Sequence, residues 1–184
     1  MTEPTAPAPD APRITVVAPM KNEADNVARL ADDIAAREDV EAVQVRRVVN
    51  ARTTLEDGTS QDVQIFTVPD FEAMNLNIIE AESGAWPPPE DTILVERGAL
   101  DLLGIAEGDT LAVELPGGAS REFEVTGIAY DLSQPSASVL GIAYAYVSPQ
   151  TMDAIVETPG YNVIQFSLTD DAIAASPNGE EALA

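Results

Sequence analysis

Carboxylates are the only abundant side chains in this chain that could do acid–base or metal chemistry. Its 184 residues include 32 Asp and Glu but no histidine and no cysteine. The usual general base, the usual nucleophile partner and the commonest soft metal ligands are therefore missing. Lys21, the single lysine, is the only ammonium available to a Ser/Lys pair. No serine sits in a G-x-S-x-G elbow, and no glycine run precedes Lys21 to form a phosphate-binding loop. Paired carboxylates can cleave glycosidic bonds, but in so acidic a chain a given pair reads first as solvated surface. Glu56-Asp57-Gly58 and Glu107-Gly108-Asp109 offer oxygen ligands for calcium; both lack the EF-hand spacing and read as turns. No residue is assigned to catalysis, to a cofactor or to a metal, and no enzymatic activity is expected.

Two acidic positions have a more specific context. The run Ile14-Thr15-Val16-Val17-Ala18-Pro19-Met20-Lys21-Asn22-Glu23 resembles the opening strand and loop of family 2 glycosyltransferases, and Glu56-Asp57-Gly58-Thr59-Ser60-Gln61-Asp62 echoes that family's second acidic motif. The resemblance implies a degenerate nucleotide-sugar site using Glu23, Asp57 and a divalent ion. Against it, no Asp-x-Asp occurs in the chain and nothing after residue 70 fits. An ordinary strand, turn and capped helix is the plainer reading. Partner contacts have three candidates: Trp86 beside Pro87-Pro88-Pro89, and Tyr144 and Tyr146 on one face of a strand with Ile142. An exposed Trp can anchor a partner. The competing readings are a Trp packed over the start of a β lobe and a pair of core tyrosines.

The elements that would position these residues follow from periodicity. Residues 1–12 alternate Pro and Ala with acids and are expected to be disordered. Residues 13–19 read as a strand stopped by Pro19. Asn22 is placed to cap a helix carrying Val27, Leu30, Ala31 and Ile34 on one face. Residues 40–54 and 61–68 read as strands facing each other across the Glu56–Ser60 turn, and 69–79 as a helical turn or irregular link. Residues 92–131 predict a short strand, a helical turn ending at Leu103-Gly104, and two alternating strands joined by Pro116-Gly117-Gly118. Residues 139–147 predict a strand buried on both faces. Ser148 and Pro149 open a short helix, and 161–168 form the last strand. Residues 170–184 read as a frayed acidic tail.

Nine basic residues against the 32 acids leave a formal charge of −23. Such a surface repels nucleic-acid and anionic lipid phosphates, so neither is an expected partner. A basic patch on a protein partner would complement it, and a saline milieu would screen its self-repulsion. No run approaches the roughly 18 apolar residues of a spanning helix, so the chain as given is expected to be soluble. The order of elements describes an α+β fold in which a helix-backed sheet carries an inserted β-rich lobe. The sheet lobe comprises residues 13–80 and 142–169; the insertion comprises 81–141.

From about residue 30 to 168 the sequence resembles the extracytoplasmic (periplasmic core) domain of MacB/FtsX-type ABC transporter permeases. The matching residues are Ile34-Ala35-Ala36 before Val40-Glu41-Ala42-Val43, the Asp57-Gly58 hairpin before Val63-Gln64-Ile65, and Gly84-Ala85-Trp86-Pro87. They continue with Ile93-Leu94-Val95-Glu96, Leu103-Gly104-Ile105 with Gly108-Asp109-Thr110, Phe123-Glu124-Val125-Thr126-Gly127-Ile128, and Ala145-Tyr146-Val147-Ser148. Their order and spacing carry the resemblance. It implies an α/β porter-like lobe with a sabre-like β insertion, held outside the cytoplasmic membrane. It also implies no catalysis, and as partners the permease's membrane helices and a separate ATPase subunit. A self-standing β-barrel adaptor, one that would survive deletion of residues 1–70, is a further reading.

Overall fold

The computed structural model describes residues 24–175. The strand expected at 13–19, Lys21, the Asn22 cap, Glu23, residues 1–12 and residues 176–184 lie outside the described residues. The first element, α1 (Ala24–Ala35), buries Val27 and Ala31 against Ile164, with Ile34, Val43 and Val45 around them. Those positions recur every three or four residues, which turns one apolar stripe toward the sheet.

The next element, β1 (Val40–Thr54), is long enough to belong to two structures. Its first half pairs antiparallel with β8 (Val163–Leu168), ending at Arg46↔Val163. Its second half pairs with β2 (Ser60–Thr67), from Arg47↔Thr67 to Thr54↔Ser60. The hairpin between β1 and β2 closes through Gly58, whose φ of 82° needs a residue without Cβ. The link that follows is irregular.

Next come β3 (Ile79–Gly84), β4 (Thr92–Glu96) and α2 (Arg97–Leu103). The Glu96 side chain caps α2 by accepting from the Gly98 N–H at 2.7 Å, and Gly104 ends the helix in a left-handed conformation. They are followed by β5 (Thr110–Glu114), β6 (Ser120–Asp131), α3 (Ala137–Leu140), β7 (Ile142–Tyr146), α4 (Pro149–Ile155), β8 and α5 (Asp170–Ala175). Ser148 caps α4, with Pro149 at the first helical position.

The pairings close a ring. β1 joins β2, β2 joins β7 in parallel, β7 joins β4, β4 joins β6 in parallel, β6 joins β5, and β5 returns to β1 through Arg52↔Glu114. The buried side chains of this barrel form one cluster that includes Val49, Ile65, Ile93, Leu111, Phe123 and Ala145. The second cluster, beneath α1, is small. The split between the two cores therefore falls at the middle of β1. β2 and β7 contribute Val63, Ile65, Phe66 and residues 143–146 to the barrel core.

Two local expectations need correction. Val139 and Leu140 do not begin a strand; they lie in α3, 78% and 51% exposed, and the chain turns at Gly141 before β7 starts. Residues 170–175 are helical instead of frayed. Thr169 Oγ1 accepts from the Ala172 N–H, and Asp170 and Asp171 stand in the first turn, where the helix dipole favours negative charge. One element has no counterpart in the sequence reading: β3 shows no apolar alternation in Glu80-Ala81-Glu82 and pairs with β6.

Candidate functional site

The densest buried polar chemistry lies where β1 passes from β8 to the barrel. Arg46, the last residue of the β8-paired half, is 1% exposed. Its Nη2 donates to the carbonyl of Asn77, and its Nη1 lies 3.9 Å from Asp131 Oδ2 at the end of β6. The same Asp131 oxygen accepts from the Tyr146 hydroxyl at 2.9 Å, and Oδ1 accepts from the Ser133 N–H at 2.8 Å. Arg46 Nε and Nη1 make no hydrogen bond. Desolvation pulls the guanidinium pKa below its ordinary value, opposed by the charge of Asp131 and then by Tyr146. Burial pushes the Tyr146 hydroxyl well up, helped by the charge of Asp131 and its hydrogen bond. Burial also raises Glu96, against the stabilising N–H of Gly98. The cluster has no nucleophile beside a base. It ties β1, β6, β7 and the approach to β3 into one arrangement.

A second clip sits beside it. Gln44 accepts from the N–H groups of Asn75 and Leu76 at 3.2 and 3.4 Å and donates to the Leu76 carbonyl at 3.0 Å. One side-chain amide thus does for the 75–76 backbone what a neighbouring strand would do.

The proposed partner residues separate by location. Trp86 is half-buried against the barrel core and meets Phe71 edge to face at 5.1 Å. Tyr144 and Tyr146 do share a face of β7, but they are 2% and 0% exposed. Phe66 covers them at ring distances of 6.1 and 5.8 Å, so they line no open groove, and as contacts for an external partner both are corrected. Asp57 lies in an exposed turn, where Oδ1 accepts from the N–H and hydroxyl of Thr59 at 2.9 and 2.6 Å. These bonds hold its carboxyl below the usual range. Its oxygen is occupied in closing the hairpin. Among the described residues no three carboxylates converge as a metal site.

Sequence reasoning missed the Arg46–Asp131 pair. Its one local signal is a pair of bases, Arg46-Arg47, between Val45 and Val48 in a strand. The acidic partner is remote in sequence, and only folding brings it near.

No family profile matches the sequence, and no curated protein does so. Solved structures do. The fold is similar to the extracellular domain of the noncanonic ABC-type transporter YknZ from Gram-positive bacteria. That match covers 93% of this chain and 90% of that one, at 14% identity and a TM-score of 0.52. A further match is the periplasmic region of MacB from Actinobacillus actinomycetemcomitans, at 10% identity and a TM-score of 0.48, covering 88% of this chain and 78% of that one.

Proposed function

We propose that the chain is a non-enzymatic extracytoplasmic domain of an ABC transporter permease. In that reading it engages a protein partner or a substrate outside the membrane and moves with a cycle driven by a separate ATPase subunit. The observation that carries it is a fold shared nearly end to end with a transporter's extracellular domain. The helix-backed ribbon and the barrel meet at one shared strand, β1, an arrangement suited to transmitting a displacement between lobes. The anionic surface favours a partner with a basic patch and a salty surrounding medium.

The test has two arms. In the parent cell, an antibody to the Glu56–Ser60 turn should label intact cells, and the labelled protein should co-purify with an ATP-hydrolysing subunit. Labelling only after lysis would overturn the location. Calorimetric titration with UDP- and GDP-sugars plus manganese should be silent. Saturable, metal-dependent binding lost in Asp57→Ala would replace this reading with a nucleotide-sugar protein.

A further inference from the structure

The barrel leaves one strand edge open. β3 pairs with β6 alone, from Ile79↔Asp131 to Gly84↔Gly127, and among the described residues no strand lies on its other side. β8 also has a single neighbour, but Val163, Ile164, Gln165 and Ser167 on it are buried. On β3 only Ile79 is buried, while Glu80, Ala81, Glu82 and Gly84 are exposed. Backbone N–H and C=O groups along such an edge form a template for an added strand.

Apolar surface adjoins the same edge. Ile78 and Leu132 are 55% and 77% exposed, and with Asn75, Asn77, Glu80 and Tyr130 they line a groove of about 430 Å³. Its lining adjoins the buried cluster at two points: Arg46 donates to the Asn77 carbonyl, and Leu132 directly follows Asp131. Monomeric surfaces carry isolated apolar residues routinely; two that border one groove beside an open strand are less ordinary.

Charge then selects the occupant. Glu80 and Glu82 stand on the edge strand, and the nearest base, Arg97, is already committed to Glu82 at 3.7 Å and to the Tyr130 ring at 3.6 Å. A second copy of this chain would set glutamates against glutamates, so self-pairing is opposed. A shift in register between Ala81 and Ser83 interrupts the pairing with β6, and the run nearest the groove is Ile79 to Ala81.

The geometry points to β3 as a docking edge for an extended protein segment that carries basic residues and one apolar residue on the same face, at every second position. Its backbone would continue the sheet beyond β3, one apolar side chain would enter the Ile78/Leu132 groove, and its bases would face Glu80 and Glu82. The inference rests on the partner-engaging part of the proposed function. It does not depend on the cellular location, so the antibody and co-purification results can fail without it, and it without them.

The probe is a capped octapeptide with valine and lysines at every second position and threonine between them, titrated into the full chain by fluorescence anisotropy. Saturable binding is expected, with about tenfold weaker binding by the same peptide N-methylated on its backbone, because strand addition needs those N–H groups. Glu80→Lys/Glu82→Lys should weaken the valine–lysine peptide by about tenfold and favour a valine–glutamate peptide instead. Asp32→Lys/Asp33→Lys on α1 changes net charge equally and should leave the affinity nearly intact. Equal binding of the methylated peptide, or equal losses in the two charge-reversed variants, would overturn the proposal in favour of diffuse attraction to an acidic surface.

Discussion

A guanidinium with two nitrogens that make no hydrogen bond and almost no solvent contact is expensive to bury, and Arg46 is tolerated because Asp131 and the Asn77 carbonyl share its charge. Removing either partner strands the other. Arg46→Met and Asp131→Ala are each expected to cost about 3–5 kcal/mol in urea unfolding. The double variant should cost less than the sum, because it leaves no buried charge behind. Additive losses in the four-protein cycle would show that the two side chains do not interact. Nothing in Gln44-Val45-Arg46-Arg47 says which arginine is buried, because alternation alone allows either face to be the inner one. The register of β1 with β8 and β2 decides it.

At the scale of elements, the turns and caps were readable and the edge strand was not. Ser148-Pro149, Leu103-Gly104 and the Asp57-Gly58 hairpin each use chemistry that acts over a few residues, and each sits where the sequence puts it. β3 carries no local signal because its pairing depends on a glycine contact with β6. A Cβ on Gly127 would lie 2.5 Å from the Ser83 carbonyl oxygen and 3.2 Å from the Cα of Gly84. Gly127 needs no left-handed backbone, so Gly127→Ala isolates that steric term. It should destabilise by about 1–3 kcal/mol, lowering the melting temperature by about 2–4 °C per kcal/mol in a chain of this size. An unchanged melting temperature would mean that β3 does not approach β6 so closely. α3 defeated the reading for another reason: Val139-Leu140 looks like the start of a strand, and only the Gly141 turn ends a helix there.

For the whole molecule, charge and closure matter most. Among the described residues five arginines are spent on internal or neighbouring acids, in the pairs Arg37–Asp39, Arg46–Asp131, Arg52–Asp62, Arg97–Glu82 and Arg121–Asp91. The remaining carboxylates repel one another, a long-range term that salt screens. The melting temperature is expected to rise by several degrees between low and molar potassium chloride, at about 2–4 °C per kcal/mol of relieved repulsion. Equal melting in both would remove salt adaptation from the account. Closure decides the adaptor reading: deleting residues 1–70 removes β1 and β2, two staves of the ring, so the remainder is not a barrel.

What the sequence determined by itself was short-range or additive: net charge, the absence of His and Cys chemistry, helix stripes, turns, caps, and the order of the strands and helices other than β3, α3 and α5. These depend on composition or on neighbours a few residues apart. The tertiary structure alone decided that one strand serves two lobes, that two tyrosines are sealed under Phe66, that Arg46 finds Asp131, and that β3 keeps an open edge. Each of those joins segments remote in sequence, and alternation leaves open which face is inner and which strand is neighbour until the barrel closes.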